Sequence, residues 1–550
     1  MKDRADMFPD GGLIRQTFES RPWIDAGADA PFIAVEATPD GPRQSGEAAA
    51  LVGHRMRVPG DPRPRGIWGQ WAWDGETLTA EVDPLGYFSL FVFARDNRIA
   101  LSPSMLQLFA RGGADPRIDP VAMAVFHRLG FFVGDDTPFA DVRVLPPGGR
   151  LTWRNGVVQV TDNTPPPRAL EISREQAVDA FIEVPRAAIR RFLSDWDGPV
   201  GLPLSGGRDS RHILLEMHHQ KRLPDTCVTF HHGGTALNAE VQAARAVAAR
   251  AGVRHAILGH PRMRLRDSLR GVLMTQLCGD EHAQMMPMHD FFTGSAYAAV
   301  DGIGGDILTN PDNDAAGFME RAQRDDFEGI ARGMMTGHGT VISRPDHRGG
   351  AGAVLSPELG DAAVARVAQA ARAYADWPDP YQAFWFYHRT RREISFTATG
   401  VLGGAATVFC PYLDPDFVEL GLSLPWSVTC DQKLHDDAIA RAFPGFTDIP
   451  FAEGFASQPL ARWRASRFTN IADGLRVAAM AGPGSALQGV RDSLARTPLR
   501  RGPADIYRLH GAFVGAMGRD EARRLQRLEA RLRAAAPKQE GVVSDVHPSI

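Results

Sequence analysis

Two glycine-containing turns carry the residues whose types and spacing are suited to chemistry. The first is Ser205-Gly206-Gly207-Arg208-Asp209-Ser210, which follows an apolar run at 200–204 and precedes a helical pattern. Adjacent glycines let a ligand approach the backbone, and the free N–H groups at a helix start suit phosphate oxygens. The serines add hydroxyl donors, whereas Asp209 would repel a phosphate unless Mg²⁺ lay between them. The turn therefore predicts a site for phosphate and magnesium.

The second turn has the sequence Val300-Asp301-Gly302-Ile303-Gly304-Gly305-Asp306, again an apolar approach that ends in a glycine turn and a carboxylate. Alone, this pattern is also typical of an ordinary tight turn or a calcium loop, just as the first turn alone is typical of a plain strand-to-helix connection. Two acids on separate loops are what a magnesium ion bridged to pyrophosphate requires. We therefore predict that Asp209 and Asp306 meet around one such ion.

The first turn resembles the SGGxDS motif of the ATP-pyrophosphatase (PP-loop) family, which holds the pyrophosphate part of ATP. It is not a Walker-type loop, because the chain contains no Gly-Lys-Ser/Thr. The resemblance implies ATP as the nucleotide and an adenine contact from the next strand, at 228–230. The nucleotide-binding residues implied in this way are Leu204, Ser205, Gly206, Gly207, Asp209, Ser210, Val228, Phe230, Gly302 and Gly304.

The second turn is similar to the glycine-rich loop of asparagine synthetases, which supplies a second magnesium carboxylate. The resemblance thus implies Asp209 and Asp306 as the metal ligands. The two glutamates of that family's loop correspond here to Ile303 and Ile307, a change that resembles the β-lactam synthetase branch. Further along the chain, residues 411–425 resemble the family's PFLD segment and residues 432–441 resemble the K-x-x-L-R helix after it.

The segment 449–455 departs from that family's pattern. Its sequence, Ile-Pro-Phe-Ala-Glu-Gly-Phe, has no Arg or Lys where the family has the lysine that steadies the adenylation transition state. Lys433, or one of the arginines Arg389, Arg391 and Arg392, is expected to neutralise the developing phosphate charge instead. Lys433 and Arg389 are the catalytic candidates, and an ordinary surface lysine is the alternative for Lys433.

The N-terminal part resembles the glutamine amidotransferase domain that precedes the synthetase domain in the same family. That glutaminase uses an N-terminal cysteine, whereas position two here is Lys2 and the first cysteine is Cys227. Because a thiolate is needed to attack the glutamine amide, we predict no glutamine hydrolysis. We expect the domain to shape or cover the synthetase site, as in lasso-peptide cyclases and β-lactam synthetases. The residues that carry the resemblance are 66–73, 83–88, 101–102, 137–139 and 144–148.

The elements that position these motifs follow from the apolar pattern. Short strand-like runs broken by Gly, Pro and Asp predict β-rich structure up to about residue 160. From about residue 170, strands and helices alternate, which predicts βαβ crossovers and a parallel sheet. The predicted strands are 32–35, 66–73, 88–93, 151–153, 200–204, 227–230 and 255–258, and the predicted helices are 174–193, 211–219 and 239–251.

The fold class predicted is α/β, in three parts. Residues 1–163 are expected to form an α+β domain, Ntn-hydrolase-like by the resemblance, and the proline run at 164–168 to form a linker. Residues 170–470 are expected to form the parallel-sheet domain, adenine-nucleotide alpha-hydrolase-like (PP-loop) by the resemblance, with a helical C-terminal part. Residues 471–550 are expected to be a helical extension with a disordered tail.

Composition limits the partners. A formal charge of −4, with arginines interleaved among acids, argues against nucleic acid as a ligand. No run approaches the 18 uncharged apolar residues of a membrane span, so no contact with a membrane is expected. The four cysteines lack a CxxC pair, so we expect a reduced, cytoplasmic setting without a zinc site or disulfides. A homodimer, or association with other biosynthetic proteins, is left open.

Together these patterns and resemblances predict an ATP-dependent carbon–nitrogen ligase that releases AMP and pyrophosphate. It would adenylate a small-molecule or peptide carboxylate and pass the acyl group to an amine or ammonia, with macrocyclisation of the lasso-peptide or β-lactam type as one form. Two alternatives remain: a glutamine-dependent asparagine synthetase, and a nucleotide-binding pseudoenzyme that regulates a partner. Other PP-loop enzymes, such as tRNA thiolases, would be expected to carry a basic face or a catalytic cysteine pair.

Overall fold

The computed structural model describes two stretches of the chain, residues 13–14 and 30–459. Within the second stretch, the residues not described are 59–60, 115–116, 118, 163, 165, 232–234, 260–270, 272–273, 280, 310–314 and 336–356. The expected extension at 471–550 and Lys2 lie outside the described residues.

Two five-stranded antiparallel sheets form the N-terminal part. The strand order in the first is Val157–Thr161, Arg150–Arg154, Thr77–Val82, Asp61–Trp73 and Ala49–Val58. The order in the second is Gly41–Gly46, Ile33–Thr38, Arg98–Ser102, Phe91–Arg95 and Val142–Val144. Every neighbouring pair in both sheets is antiparallel, so neither sheet, as far as its residues are described, contains a βαβ crossover.

Alternation along the strands sends side chains to two apolar cores. Ile33 and Val35 pack in the same core as Trp71 of the other sheet, whereas Ala34 faces a second core that contains residues of the helix Pro120–Leu129. This is the period-two pattern of strands that are buried on both faces. The second sheet is therefore covered by the first sheet on one face and by a helix on the other.

The strand expected at 88–93 begins later, at Phe91. The buried carboxylate of Asp83 accepts hydrogen bonds from the N–H groups of Leu85, Tyr87 and Phe88, at 2.8 to 3.1 Å. These donors are turned towards one side chain and cannot join a ladder, so the chain forms a turn there. Burial raises the pKa of Asp83 to about 6.

A parallel sheet forms the centre of the second half. Its strand order is Leu13–Ile14, His255–Gly259, Thr226–His231, Val200–Pro203, Ala298–Val300 and Thr407–Phe409. All neighbouring pairs are parallel. From Val200–Pro203 the chain adds strands first on one side and then on the other, so the order reverses beside that strand. Open α/β sheets bind ligands at this reversal, beyond the carboxyl ends of the strands.

Helices connect the strands of this sheet. Arg174–Asp195 begins with a capping box, in which the side chains of Ser173 and Gln176 each accept a hydrogen bond from the other's backbone N–H. Arg208–His219 follows the first glycine turn, and Ala239–Ala251 leads to the strand His255–Gly259. This order of elements is the alternation that the sequence predicts.

Short helices make up most of the C-terminal part. The α-helices are Met286–Phe292, Ala315–Gln323, Phe327–Met335, Gly360–Arg372, Pro380–Trp385, Pro415–Ser423, Trp426–Thr429 and Leu434–Ala442. Two π-helical stretches, Phe386–Ile394 and Thr397–Val401, follow Pro380–Trp385. Within the described ranges, no helix has both the length and the apolar character needed to cross a membrane.

Ion pairs join the two halves of the chain. Nη1 of Arg65, which is only 4% exposed, lies 2.5 Å from Oδ1 of Asp414, and Nη2 of Arg191 lies 2.9 Å from the same oxygen. Asp414 also caps the helix Pro415–Ser423 by accepting from a backbone N–H. Because a buried charge is costly unless it is paired, these contacts hold the N-terminal sheets against the parallel-sheet half.

The expectation of a mixed α/β chain with both antiparallel and parallel sheets is confirmed. The finer assignments, an Ntn-hydrolase-like domain and a PP-loop domain, remain proposals that rest on the motifs.

Candidate active site at the meeting of two glycine turns

The two glycine turns follow neighbouring strands of the parallel sheet. Val200 pairs with Ala298 and Gly201 with Ala299, so the two strands run side by side in the same direction. Their carboxyl ends therefore lie at the same edge, at the point where the strand order reverses. This register explains why turns almost a hundred residues apart come together.

The first turn is closed by its own serines. The N–H of Ser205 donates to Oγ of Ser210 at 3.0 Å, and the two hydroxyl oxygens lie 3.1 Å apart. The N–H of Gly207 donates to Oγ of Ser205 at 3.2 Å. Asp209 and Ser210 then lie in the first turn of the helix Arg208–His219. The turn thus presents hydroxyl groups and a helix start on one side, which is the arrangement expected to receive phosphate oxygens.

The acids of the two turns meet directly. The backbone N–H of Asp306 donates to Oδ2 of Asp209 at 3.2 Å. Asp209 is half-buried and Asp306 is exposed, so the pair opens towards solvent on one side. Burial, together with the neighbouring carboxylates of Asp306 and Asp301, raises the pKa of Asp209 well above its usual value. Burial also raises the pKa of Asp301, to about 6.

Glycines are required where the second turn passes Asp209. A Cβ atom at Gly302 would lie 2.6 Å from Cβ of Asp209, and one at Gly305 would lie 2.7 Å from its Oδ1. Gly304 has a φ of +92°, in the left-handed region, and a Cβ there would also meet Leu413 at 2.9 Å. The glycines of the motif therefore permit the close approach of the two turns.

The donor set suits a hard divalent cation. The carboxyl groups of Asp306 and Asp301 are close enough to Asp209 to oppose its ionisation, and Mg²⁺ prefers oxygen ligands of this kind. Among the described residues, no group of three or more His, Cys, Asp or Glu side chains is arranged to hold a metal ion. A cation held here by Asp209 and Asp306 would therefore take its remaining ligands from phosphate and water, as magnesium commonly does.

No protein-family model matches this chain, and no curated protein matches it. The likeness to PP-loop enzymes rests on the two glycine turns and the other sequence motifs.

The predicted adenine strand lies beside the first turn. The N–H of Leu204 donates to the backbone oxygen of Val228 at 2.9 Å, and the hydroxyl of Thr229 donates to the backbone oxygen of Leu204 at 2.5 Å. Val228 is buried and Phe230 is half-buried. A base bound at this strand end would lie beside the turn, as the sequence predicts for Val228 and Phe230, although their contact with a nucleotide stays a prediction.

A carboxylate that the sequence did not predict lies against the first turn. Oε2 of Glu240 accepts from the N–H of Gly206 at 2.5 Å. Glu240 lies in the first turn of the helix Ala239–Ala251, and no local motif marks it. It takes one of the backbone donors that a phosphate oxygen would otherwise use.

The segment 449–455, which contains no Lys or Arg, packs on the same turn. The N–H of Ala452 donates to the backbone oxygen of Gly206 at 3.0 Å. Arg211 donates to the backbone oxygens of Ile449 and Pro450, each at 2.7 Å. Arg208, the variable residue of the motif, lies with its guanidinium 4.8 Å from the ring centre of Phe451. Arg208 also donates to both carboxylate oxygens of Asp436, at 2.5 and 3.2 Å, and lies 3.4 Å from Glu453. Its charge at this rim is therefore balanced by carboxylates, and the sequence analysis did not single it out.

The two catalytic candidates have different surroundings. Lys433 is exposed and immediately precedes the helix Leu434–Ala442, and its N–H donates to Asp431. Nε of Arg389 lies 3.7 Å from Oε2 of Glu393 within the stretch Phe386–Ile394. Neither observation joins these side chains to the glycine turns, so their roles stay predictions.

Arg391 and Arg392 serve the junction between the two halves, and the expectation that they face phosphate is wrong. Arg391 donates to the backbone oxygens of Gly86 and Leu145, at 3.1 and 2.7 Å. Arg392 donates to the backbone oxygen of Gly134 at 3.1 Å. Both side chains are buried, with 2% exposure or less. Their donors are used by carbonyl groups of the N-terminal part, and this prevents them from reaching the sheet edge.

Proposed function

We propose that this protein is an ATP-dependent amide-forming ligase, which activates a carboxylate as its acyl-adenylate and passes the acyl group to an amine. The observation that carries the proposal is the hydrogen bond from the N–H of Asp306 to Oδ2 of Asp209, which joins the two acidic turns at the edge of the parallel sheet. Two acids from separate loops at this edge are the arrangement that a magnesium pyrophosphate group needs.

The first turn would hold the pyrophosphate part of ATP. The hydroxyl groups of Ser205 and Ser210 are its donors for phosphate oxygens. The N–H groups of Gly206 and Gly207 would join them only on leaving their present acceptors, Glu240 and Oγ of Ser205. The base would lie at the neighbouring strand, near Val228 and Phe230. This orientation would direct the α-phosphorus towards the open side of the acid pair, where a carboxylate substrate can approach.

Asp209 and Asp306 would hold Mg²⁺, which supplies positive charge to the departing pyrophosphate. The raised pKa of Asp209 favours this role, because a cation between the acids relieves the repulsion that opposes its ionisation. Arg208, at the rim of the same turn, would add a guanidinium only by exchanging its bonds to Asp436 for a phosphate oxygen. Lys433 and Arg389 remain candidates for the same contribution.

The reaction proposed has two balanced steps. A carboxylate oxygen forms a bond to the α-phosphorus as the bond to the bridging oxygen breaks, and pyrophosphate leaves with that electron pair. The amine nitrogen then attacks the acyl carbon, AMP leaves with the carboxyl oxygen, and the nitrogen loses its proton to solvent. Because the chain has no cysteine before Cys227, we propose that the amine comes from the substrate or from free ammonia and not from glutamine.

The test is carboxylate-dependent exchange of labelled pyrophosphate into ATP by the full chain. We expect exchange with at least one class of amino-acid or peptide carboxylate, and loss of exchange in Asp209→Asn and in Asp306→Asn. The matched control is Asp361→Asn, an exposed acid at the start of the helix Gly360–Arg372. Release of glutamate from glutamine by the purified protein would contradict the proposed source of nitrogen.

A nucleotide-binding regulator is the second candidate, and the contact of Glu240 with Gly206 favours it. A carboxylate that occupies a phosphate donor, beside a segment without the family's lysine, would suit a protein that binds ATP without turning it over. Tight ATP binding without exchange for any carboxylate tested would decide for this candidate and against the ligase.

A further inference from the structure

A chain of buried polar side chains leads away from Asp209 into the core. Nδ1 of His435 lies 3.3 Å from Oδ1 of Asp209, and Nε2 of the same ring lies 3.1 Å from Nδ1 of His212. Nε2 of His212 lies 3.8 Å from Oε1 of Glu216. Arg186 closes the chain with two hydrogen bonds to Glu216, at 2.9 and 3.0 Å.

The core around these polar side chains is buried and aromatic. His435, His212 and Glu216 have no exposed surface. The ring of Phe181 packs edge-on against His435 with ring centres 4.8 Å apart, and Tyr412 packs against the same ring at 5.9 Å. Polar groups are costly in such surroundings unless they bond to one another. The packed aromatic rings therefore restrict the orientation of the His435 imidazole, so that its two nitrogens face Asp209 and His212.

The contact between His435 and Asp209 joins two buried polar atoms, Nδ1 of the imidazole and Oδ1 of the carboxylate. Among the described residues, neither Nδ1 of His435 nor Oδ1 of Asp209 has a well-aligned hydrogen-bond partner elsewhere. Hydrogen bonds at active sites are often long or poorly aligned until the substrate complex forms, and then tighten. The second oxygen of the carboxylate already accepts from the N–H of Asp306. A bond at Oδ1 would thus fix the rotation of the whole carboxylate.

The donors and acceptors along the chain are consistent with this role. Arg186 has only donors, so Glu216 accepts from it with both oxygens. The distances fit one arrangement of hydrogens, in which Nδ1–H of His435 donates to Asp209 and Nε2 of the same ring accepts from Nδ1–H of His212. Nε2–H of His212 then faces Glu216.

We propose that His435, supported by His212 and Glu216, is the positioning residue for Asp209, and that it holds this carboxylate in the orientation that binds a divalent cation. The inference rests on the proposed function, since it concerns the same acid pair. Each carboxylate oxygen keeps a second lone pair, so the contacts with His435 and Asp306 leave Asp209 able to accept a metal ion. Metal ligands are commonly oriented by partners of this kind.

The experiment measures metal affinity rather than turnover. The probe is Mn²⁺ together with α,β-methylene-ATP, added to the full chain, and free Mn²⁺ is counted by its electron paramagnetic resonance signal. His435→Leu, which removes both ring nitrogens, is expected to weaken Mn²⁺ binding about 10- to 100-fold, the usual effect of losing such a partner. His435→Asn keeps an N–H near the position of Nδ1 and is expected to restore most of that affinity.

A double substitution tests whether His212 acts on Asp209 through His435. His212→Leu is expected to weaken Mn²⁺ binding less than His435→Leu does, because it acts only through the second ring. Adding it to His435→Leu is expected to cause no further loss, since residues that act through one another are not additive. His54→Asn is the matched control. The imidazole of His54 hydrogen-bonds to Thr407 and is not one of the side chains that link Asp209 to Arg186.

The outcomes separate the two proposals. A parent protein without Mn²⁺-dependent nucleotide binding would remove the proposed function and this inference together. A parent that binds, with His435→Leu binding as tightly, would overturn the inference alone. Equal losses in the Leu and Asn variants would also overturn it, because the ring would then matter only for packing. If His435→Leu does not fold, the decision passes to His435→Asn against His435→Gln, whose amide reaches the position of Nε2 instead, and equal binding by these two would overturn the inference.

Discussion

Replacing Asp301 by Asn should stabilise the protein, and the gain should depend on pH. Asp301 directly follows the strand Ala298–Val300 and opens the second turn. Its Oδ1 accepts from the N–H of Ile303 at 3.1 Å, and burial raises its pKa to about 6. Asn keeps the acceptor oxygen for this bond and removes the charge. The substitution therefore isolates the free energy of holding an ionised carboxylate in this half-buried position.

The magnitude follows from the pKa. The difference between about 6 in the folded protein and 3.8, its ordinary value, corresponds to at most about 3 kcal/mol at about 1.4 kcal/mol per pKa unit. Because the pKa is raised on folding, the folded state binds more protons than the unfolded state between these two values. The stability contributed by Asp301 is thus greatest below pH 4 and falls as the pH rises towards 6. Asp301→Asn should match the parent at low pH and exceed it above pH 6.

The assay is urea unfolding of the parent and the variant, in buffer with a chelator, between pH 5 and pH 8. We expect the variant to gain about 1.5 kcal/mol at pH 5 and about 3 kcal/mol at pH 8. Asp376→Asn, at an exposed position, is the control and should change stability by less than about 0.5 kcal/mol at either pH. A variant less stable than the parent at pH 8, or a gain that does not change with pH, would refute this reasoning.

Three further substitutions test the geometry of the site and of the junction. Gly305→Ala places a Cβ atom 2.7 Å from Oδ1 of Asp209 and should abolish Mn²⁺-dependent nucleotide binding without unfolding the chain, as equilibrium titration and circular dichroism would show. Glu240→Gln weakens the charged contact with the first turn and should tighten pyrophosphate binding about tenfold in calorimetric titration. Arg65→Met leaves the buried Asp414 without its main partner and should lower the free energy of unfolding by about 3–5 kcal/mol.

Each of these has a matched control. Gly317→Ala adds a Cβ atom into open space, and Glu320→Gln removes a charge from an exposed helix position, so neither should alter binding. Arg63→Met removes an arginine that is 47% exposed and should cost less than about 1 kcal/mol. Unchanged metal binding in Gly305→Ala, unchanged pyrophosphate binding in Glu240→Gln, or equal losses of stability in the two arginine variants would each contradict the corresponding contact.

The sequence predicts the parallel-sheet half well, because its signals are local. The alanine-rich helix expected at 239–251 is the helix Ala239–Ala251, and the strand expected at 200–204 is Val200–Pro203. The helix expected at 211–219 begins three residues earlier, at Arg208, because Gly207 is its N-cap and the motif itself forms the first turn. The meeting of Asp209 and Asp306 was also predicted, since acids at the carboxyl ends of neighbouring parallel strands share one edge.

The partners of those acids were not predicted, because nothing local marks them. Glu240 lies 34 residues from the glycine whose N–H it accepts, and His212 and His435 are 223 residues apart. His212 lies in the helix Arg208–His219, which has an ordinary amphipathic pattern. Its contact with His435 forms only when the helix Leu434–Ala442 packs against that helix. Arg391 and Arg392 were misassigned for the same reason, since a charge in sequence gives no sign of which carbonyl groups will surround it.

The N-terminal part is linked to this site by side-chain contacts. Arg65, from its longest strand, pairs with Asp414, two residues beyond Tyr412. The hydroxyl of Tyr412 donates to the backbone oxygen of Asp209 at 3.2 Å, and its ring also packs against His435. A displacement of Arg65 would therefore reach the acid pair through one short segment of chain. The N-terminal sheets thus support the segment that contacts Asp209, through the pairing of Arg65 with Asp414.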